Sequence, residues 1–178
     1  MAGNRLRGVI WGGAAALFLV PLVAMQFTDE VAWTVADFVF CAVMLGLACG
    51  AYELGTRLSP NRWYRAGVAV AIVGGFMVVW VNAAVGMIGN EGNEYNLLFL
   101  GAILVGAAGA LIAWFRAAGM ARALYATAIA HGLVSGYALV AGWDPRGALL
   151  SLVFVLPWLL SAGLFQKAAR DPAIAVNR

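Results

Sequence analysis

The sequence predicts an all-α integral membrane protein, a compact bundle of six transmembrane helices arranged as three antiparallel hairpins. Of its 178 residues, 64% are hydrophobic and 11% are charged, whereas a typical soluble domain carries about 25% charged residues. Eleven basic and eight acidic side chains are too few to cover the surface of a soluble domain of this size. Most of that surface must therefore face lipid, and the length predicts a single domain over residues 1–178.

Six apolar segments are each close to the ~20 residues that a helix needs to cross the hydrocarbon core of a bilayer. They run over Gly8–Phe27, Val31–Leu54, Ala66–Ile88, Leu97–Phe115, Ala123–Ala141 and Ala148–Phe165. These segments lack the period-two alternation of barrel strands, so helices are predicted. The first segment exceeds the ~7–15 apolar residues of a signal peptide and is predicted to be a retained helix. Asp144 and Pro145 are typical of an N-cap and a first helical residue.

The distribution of arginine and lysine predicts the orientation of the bundle. Ten basic residues fall in the N-terminus, the second and fourth loops and the tail, and the opposite side carries only Arg146. The ten are Arg5, Arg7, Arg57, Arg62, Arg65, Arg116, Arg122, Lys167, Arg170 and Arg178. Both termini are therefore predicted to be cytoplasmic. The alanine, glycine and arginine usage is typical of high-GC bacteria, so the predicted location is the bacterial inner membrane.

Small residues recur every four positions in three of the segments, and such faces let helix backbones approach closely in lipid. They are Gly46 and Gly50, then Ala102, Gly106 and Ala110, and finally Ala128, Gly132 and Gly136. Packing within the bundle is one interpretation. The other is that some of these faces join a second copy of the chain or another membrane protein.

Asp37 is the first candidate for function, because ionisable side chains are costly inside a membrane. It lies about 9 Å inside the predicted second segment at ~1.5 Å per residue, and Thr34 shares its helical face. Asn82 has a similar depth in the third segment, which predicts an Asp37–Asn82 hydrogen bond. One interpretation is a polar pair that pins two helices. The other is a proton or cation site in which burial disfavours the charged carboxylate.

His131 is the single histidine of the chain and lies near the middle of the fifth segment. Thr127 and Ser135 are four residues away on either side, so the three share one helical face. Two interpretations are open: a neutral histidine that is hydrogen-bonded to another helix, or a member of a proton relay. Haem is disfavoured because no second histidine is present, and the sequence predicts no cofactor.

The predicted outer surface is acidic, and its loops offer many oxygen atoms that suit a hard cation such as calcium. The candidate residues for an outer cation site are Asp29, Glu30, Asn90, Glu91, Asn93 and Glu94. The spacing does not match an EF-hand. The alternative is that these side chains cap helix starts, where the helix dipole favours negative charge.

Two functions follow from these features. The first is a transporter or channel-like protein for a cation, a proton or a small solute, with Asp37 and Asn82 below an acidic outer surface. The second is an accessory or scaffold subunit of a larger membrane complex. An enzyme is disfavoured because the chain carries no H-E-x-x-H or G-x-S-x-G motif. Nucleic acid is excluded as a partner because the basic residues are accounted for by membrane topology.

Overall fold

A computed structural model describes residues 2–171 of the chain, with side chains from residue 7 onward. Arg178 and the side chain of Arg5, both counted in the predicted orientation, lie outside the described part. The helices are α1 (Ala2–Ala24), α2 (Val35–Leu58), α3 (Arg62–Ala84), α4 (Leu97–Ile112), α5 (Ala117–Val140), α6 (Pro145–Ser151) and α7 (Val155–Ala169). Single 3-10 turns, Glu94–Asn96 and Leu152–Phe154, precede α4 and α7. Across residues 2–171 the regular structure is entirely helical, as predicted.

Six helical segments are long and apolar enough to cross a membrane, in agreement with the predicted number. The first five follow α1 to α5, and the sixth is Pro145–Ala169, which combines α6, the 3-10 turn and α7. Length and composition therefore support a multi-pass membrane protein.

Polar caps place several helix starts away from the ends of the apolar segments. The helix α3 begins at Arg62, four residues before the predicted Ala66, because the Asn61 side chain accepts hydrogen bonds from the backbone N–H groups of Trp63 and Tyr64 at 2.8 and 3.1 Å. Such a cap satisfies donors that have no partner inside the helix. An apolar segment shows which residues face lipid, whereas the cap decides where the helix begins.

The predicted cap at Asp144 is confirmed. Its carboxylate accepts a hydrogen bond from the Gly147 backbone N–H at 3.1 Å, and Pro145 is the first residue of α6. The other carboxylate oxygen accepts from the backbone N–H of Gly89 at 3.0 Å, so the same side chain also ties two loops together. These backbone N–H groups, Gly89 first, hold the pKa of Asp144 below its usual value.

The chain divides into two compact units, Met1–Gly55 and Thr56–Arg178. In the first unit, Phe18 of α1 packs edge-to-face on Phe38 of α2 with ring centroids 5.6 Å apart. Arg7 and Glu53 form an ion pair at 2.9 Å. The predicted single domain over the whole chain stays a prediction.

In the second unit, α5 packs on α4 and α7, and α3 also packs on α7. Glycines allow these close approaches: a Cβ atom built at Gly67 would lie 3.0 Å from the Phe165 ring, and one at Gly109 would lie 2.6 Å from the Cβ of Ala123. The predicted small-residue face of α4 is buried at Ala102 and Ala110. For this helix, the interpretation as packing within the bundle is supported.

Candidate functional site

The interior of the second unit contains a row of polar side chains on α5. Thr127, His131 and Ser135 are each fully buried, and their spacing of four places them on one face, as the sequence indicates. Thr127 donates its hydroxyl hydrogen to the carbonyl of Ala123 at 3.0 Å, within its own helix. The other two side chains reach the segment formed by α6 and α7.

His131 is held by two hydrogen bonds that together define its tautomer. Its Nε2 lies 3.1 Å from the carbonyl oxygen of Ser151, and the indole Nε1 of Trp158 lies 3.4 Å from its Nδ1. A carbonyl can only accept and an indole N–H can only donate. The imidazole is therefore neutral, with its hydrogen on Nε2.

The Ser151 carbonyl that binds this histidine belongs to the residue that caps the 3-10 turn between α6 and α7. The N–H of Val155 bonds to the carbonyls of Leu152 and Val153 instead of the Ser151 carbonyl four residues before it. Pro157 follows and has no N–H to donate. This irregular stretch thus lies beside the histidine, on the segment that supplies its acceptor.

Two serine hydroxyls extend the cluster towards the start of α6. The Ser135 and Ser151 oxygens are 2.7 Å apart. Ser151 also reaches the carbonyl of Ala148 at 2.7 Å, and Ser135 reaches the backbone carbonyl of His131 at 3.1 Å. The two serines have only two hydroxyl hydrogens for these three contacts. In the hydrogen bond between the two hydroxyls, either serine can therefore be the donor.

The chemistry of this cluster is that of neutral hydrogen bonding. Its members are hydroxyl, imidazole and indole groups and backbone carbonyls. Ser135 bonds to the backbone of His131 and not to its ring, so the pair lacks the contact that would activate a serine nucleophile. The arrangement cross-links α5 to the α6–α7 segment within the core. Ser151 and Trp158 had no sequence signal, because only the tertiary fold brings them to the histidine.

Asn82 of α3 is 9% exposed, and both polar atoms of its amide are buried. Neither the nitrogen nor the oxygen of this amide has a hydrogen-bond partner among the described residues of its own unit, 56–171. The predicted hydrogen bond to Asp37 joins residues of different units and stays a prediction.

Asp37 has a defined role at the start of α2. Its carboxylate accepts hydrogen bonds from the backbone N–H and the hydroxyl of Thr34 at 2.7 and 2.8 Å, and the Asp37 N–H lies 3.4 Å from the Thr34 hydroxyl. This reciprocal pattern is a capping box. The helix therefore begins at Val35, four residues after the predicted start, and Asp37 is an exposed residue of its first turn.

Replacing Thr34 by alanine should lower the free energy of unfolding by about 1 kcal/mol, the usual cost of a lost N-cap. Asp37→Asn keeps an acceptor oxygen, so its effect should be smaller. Circular dichroism during thermal unfolding in detergent would measure both, with Asp29→Ala as a control at an exposed acidic residue outside the helix. If Asp37→Asn abolished cation flux in proteoliposomes while its melting stayed unchanged, capping would not be the main role of Asp37.

The loop between α3 and α4, predicted to lie on the outer side, uses its amide side chains to hold its own backbone. Asn96 is buried and accepts from the N–H groups of Met87 and Ile88 at 3.0 and 2.9 Å. The Asn90 side chain accepts from the Gly92 N–H, and Asn93 accepts from the Tyr95 N–H.

The carboxylates of the predicted cation site do not gather into one cluster. Within the described chain, His, Cys, Asp and Glu side chains form no group of three or more with the geometry to hold a metal ion. Glu91 and Glu94 are exposed, and Thr28 accepts a hydrogen bond from the Glu30 N–H at 3.1 Å. The outer cation site stays a prediction, and turn and cap formation accounts for the amides.

No protein family, no curated protein and no solved structure matches this chain.

Proposed function

We propose that this protein is an accessory or scaffold subunit of a larger complex in the bacterial inner membrane, with both termini on the cytoplasmic side. In this proposal the second unit is a rigid helical body, and the first unit presents α1 and α2 to a membrane-spanning helix of a different protein. The observation that carries the proposal is the environment of the glycines in α1 and α2.

Five glycines of the first unit have no close neighbour. A Cβ atom built at any of them would meet no other atom within 4 Å; they are Gly8, Gly12, Gly13, Gly46 and Gly50. A glycine inside a helix costs up to about 1 kcal/mol relative to alanine. In lipid, this cost is offset where the glycine lets the backbone of another helix pack closely against it. No helix of the described chain packs closely against these five glycines. This favours a helix of a partner protein as the one that does.

The burial of the helices supports the same assignment. Pro21 is the only buried residue of Arg7–Ala24, and α2 buries three, whereas α5 buries nine. Apolar exposure by itself fits lipid as well as a partner. The combination of low burial with open glycines at a spacing of four on both helices favours a partner.

The orientation in this proposal rests on charge and on interface aromatics. At the start of α3, the Trp63 ring lies beside two cations, 3.6 Å from the Lys167 ammonium and 4.8 Å from the Arg62 guanidinium. Towards the opposite end of the unit, Tyr95 stacks on Trp143 with ring centroids 3.7 Å apart. The basic end matches the cytoplasmic surface that the arginine and lysine count predicts.

An ion path through Asp37 receives less support than assembly. The carboxylate of Asp37 is exposed and serves the capping box. The buried cluster around His131 consists of neutral groups that bond to one another. Both arrangements suit structure better than the conduction of a cation.

The double substitution Gly46→Leu with Gly50→Leu should remove at least nine-tenths of the partner protein that is recovered with this chain. Leucine side chains would keep the two backbones apart. A Cβ atom at either position meets no atom of the chain itself within 4 Å, so we expect the melting temperature to stay unchanged. Native mass spectrometry of protein extracted gently from its own membranes measures the complex.

Gly101→Leu is the matched control, since Gly101 also has open space around it but lies in the second unit. The control should keep the partner. A monomer, a homo-oligomer without a second protein, or a complex that survives the double substitution would each contradict the proposal.

A further inference from the structure

Asn82 combines deep burial with an unused hydrogen-bonding capacity. Its amide can donate two hydrogen bonds and accept two, and the described residues of its own unit supply none of them. A buried amide without partners is costly, and most of all inside a bilayer, where no bulk water reaches it. The group therefore points to a molecule that completes its hydrogen bonds.

The position of Asn82 on α3 shows which way the amide faces. Gly67, Gly74, Val78 and Asn82 are buried at successive intervals of seven, four and four residues, which is a single helical face. That face packs on α7, because a Cβ atom built at Gly74 would lie 2.9 Å from the Cβ of Pro157. Asn82 therefore faces the interior of the second unit.

The antiparallel packing of α3 and α7 gives the level of Asn82 along the bundle. Gly67 lies beside Phe165 of α7, whereas Gly74, farther along α3, lies beside Pro157, which comes earlier in α7. Eight further residues of α3 rise about 12 Å, while the six residues from Pro157 back to Ser151 span about 9–10 Å. Asn82 and Ser151 thus lie at nearly the same height.

The outer loop closes the bundle above this level. Met87 and Ile88 are 5% and 1% exposed, and Asn96 binds both of their N–H groups. Asp144 fastens the next residue of the loop, Gly89, to the start of α6. A molecule beside Asn82 is therefore enclosed by the protein.

We propose that Asn82, together with the hydroxyl pair of Ser135 and Ser151, binds one neutral, water-sized molecule that both donates and accepts hydrogen bonds. The ligand is neutral because the groups at this level are an amide, two hydroxyls and a neutral imidazole. It is small because Val78 on the same face and Met87 and Ile88 above it are all buried, which leaves little space beside the amide. Water and ammonia have this chemistry. This site does not depend on the partner interface of the first unit.

Proton NMR on protein in nanodiscs, labelled with 15N at asparagine, tests the site. We expect the side-chain amide hydrogens of Asn82 to show a cross-relaxation peak to a bound molecule, and Asn82→Leu to remove that amide signal and its peak. Ser151→Ala should shift the Asn82 amide resonances or abolish the cross-peak, because it removes one hydrogen-bond partner of the ligand. Leu133→Ala, at an exposed residue of α5, is the control and should leave them unchanged.

A second arm identifies the ligand. With 15N-labelled ammonium chloride at mildly alkaline pH, a cross-peak that stays on the water resonance identifies water, and transfer to the ammonia resonance identifies ammonia. An Asn82 amide that shows no bound molecule, or that bonds directly to protein groups, would overturn the proposal. An unchanged Asn82 amide signal in Ser151→Ala would overturn the role of the hydroxyl pair.

Discussion

Replacing His131 by alanine should lower the free energy of unfolding of the second unit by about 3 kcal/mol. The side chain is fully buried between rings, with the Phe99 centroid 4.9 Å and the Phe154 centroid 6.3 Å from its own. Its removal leaves a cavity, and large-to-small substitutions in cores cost about 2–5 kcal/mol. The change also leaves the Trp158 N–H without its acceptor and the Ser151 carbonyl without its imidazole donor.

The free energy can be measured by steric trapping in bicelles. Leu133→Ala is the matched control, because it lies on the same helix and is 67% exposed; its effect should stay below about 0.5 kcal/mol. His131→Gln keeps polar atoms in the core, so its loss in free energy of unfolding should lie between those of His131→Ala and Leu133→Ala. A loss below about 1 kcal/mol for His131→Ala would mean that the histidine does not cross-link α5 to the α6–α7 segment.

The helices and the buried face of α5 could be predicted from the sequence, because both depend on local periodicity. Six apolar segments are long enough to cross a membrane, and a spacing of four places Thr127, His131 and Ser135 together. The partners of His131 could not be predicted. Ser151 and Trp158 lie 20 and 27 residues beyond it in the chain, and only the packing of the α6–α7 segment on α5 brings them to it.

The depth of Asp37 shows a different limit of sequence reasoning. An apolar segment that begins at Val31 places the carboxyl two turns into a helix, where a charge would be a functional candidate. The hydrogen bonds between Thr34 and Asp37 start the helix at Val35 instead. Short side chains compete locally with the backbone, and hydropathy does not register that competition.

Gly109→Ala and Gly101→Ala should change stability in opposite directions, although both substitutions add one methyl group to α4. At Gly109 the new Cβ would lie 2.6 Å from the Cβ of Ala123 and 3.2 Å from its Cα. These atoms belong to the α5 backbone or are fixed to it, so the two helices must move apart. Overpacking of a close contact costs about 1–3 kcal/mol, and here we expect the upper part of that range.

At Gly101 the same methyl group meets no atom within 4 Å, so the substitution acts on the helix alone. Alanine exceeds glycine in helix propensity by up to about 1 kcal/mol, and Gly101→Ala should therefore be neutral or stabilising. Steric trapping of both variants under identical conditions gives the comparison. Equal effects at the two positions would mean that α4 and α5 are not in contact at Gly109. A loss of stability at Gly109 alone would show that the two helices are in close contact there, since helix propensity acts in the same direction at both sites.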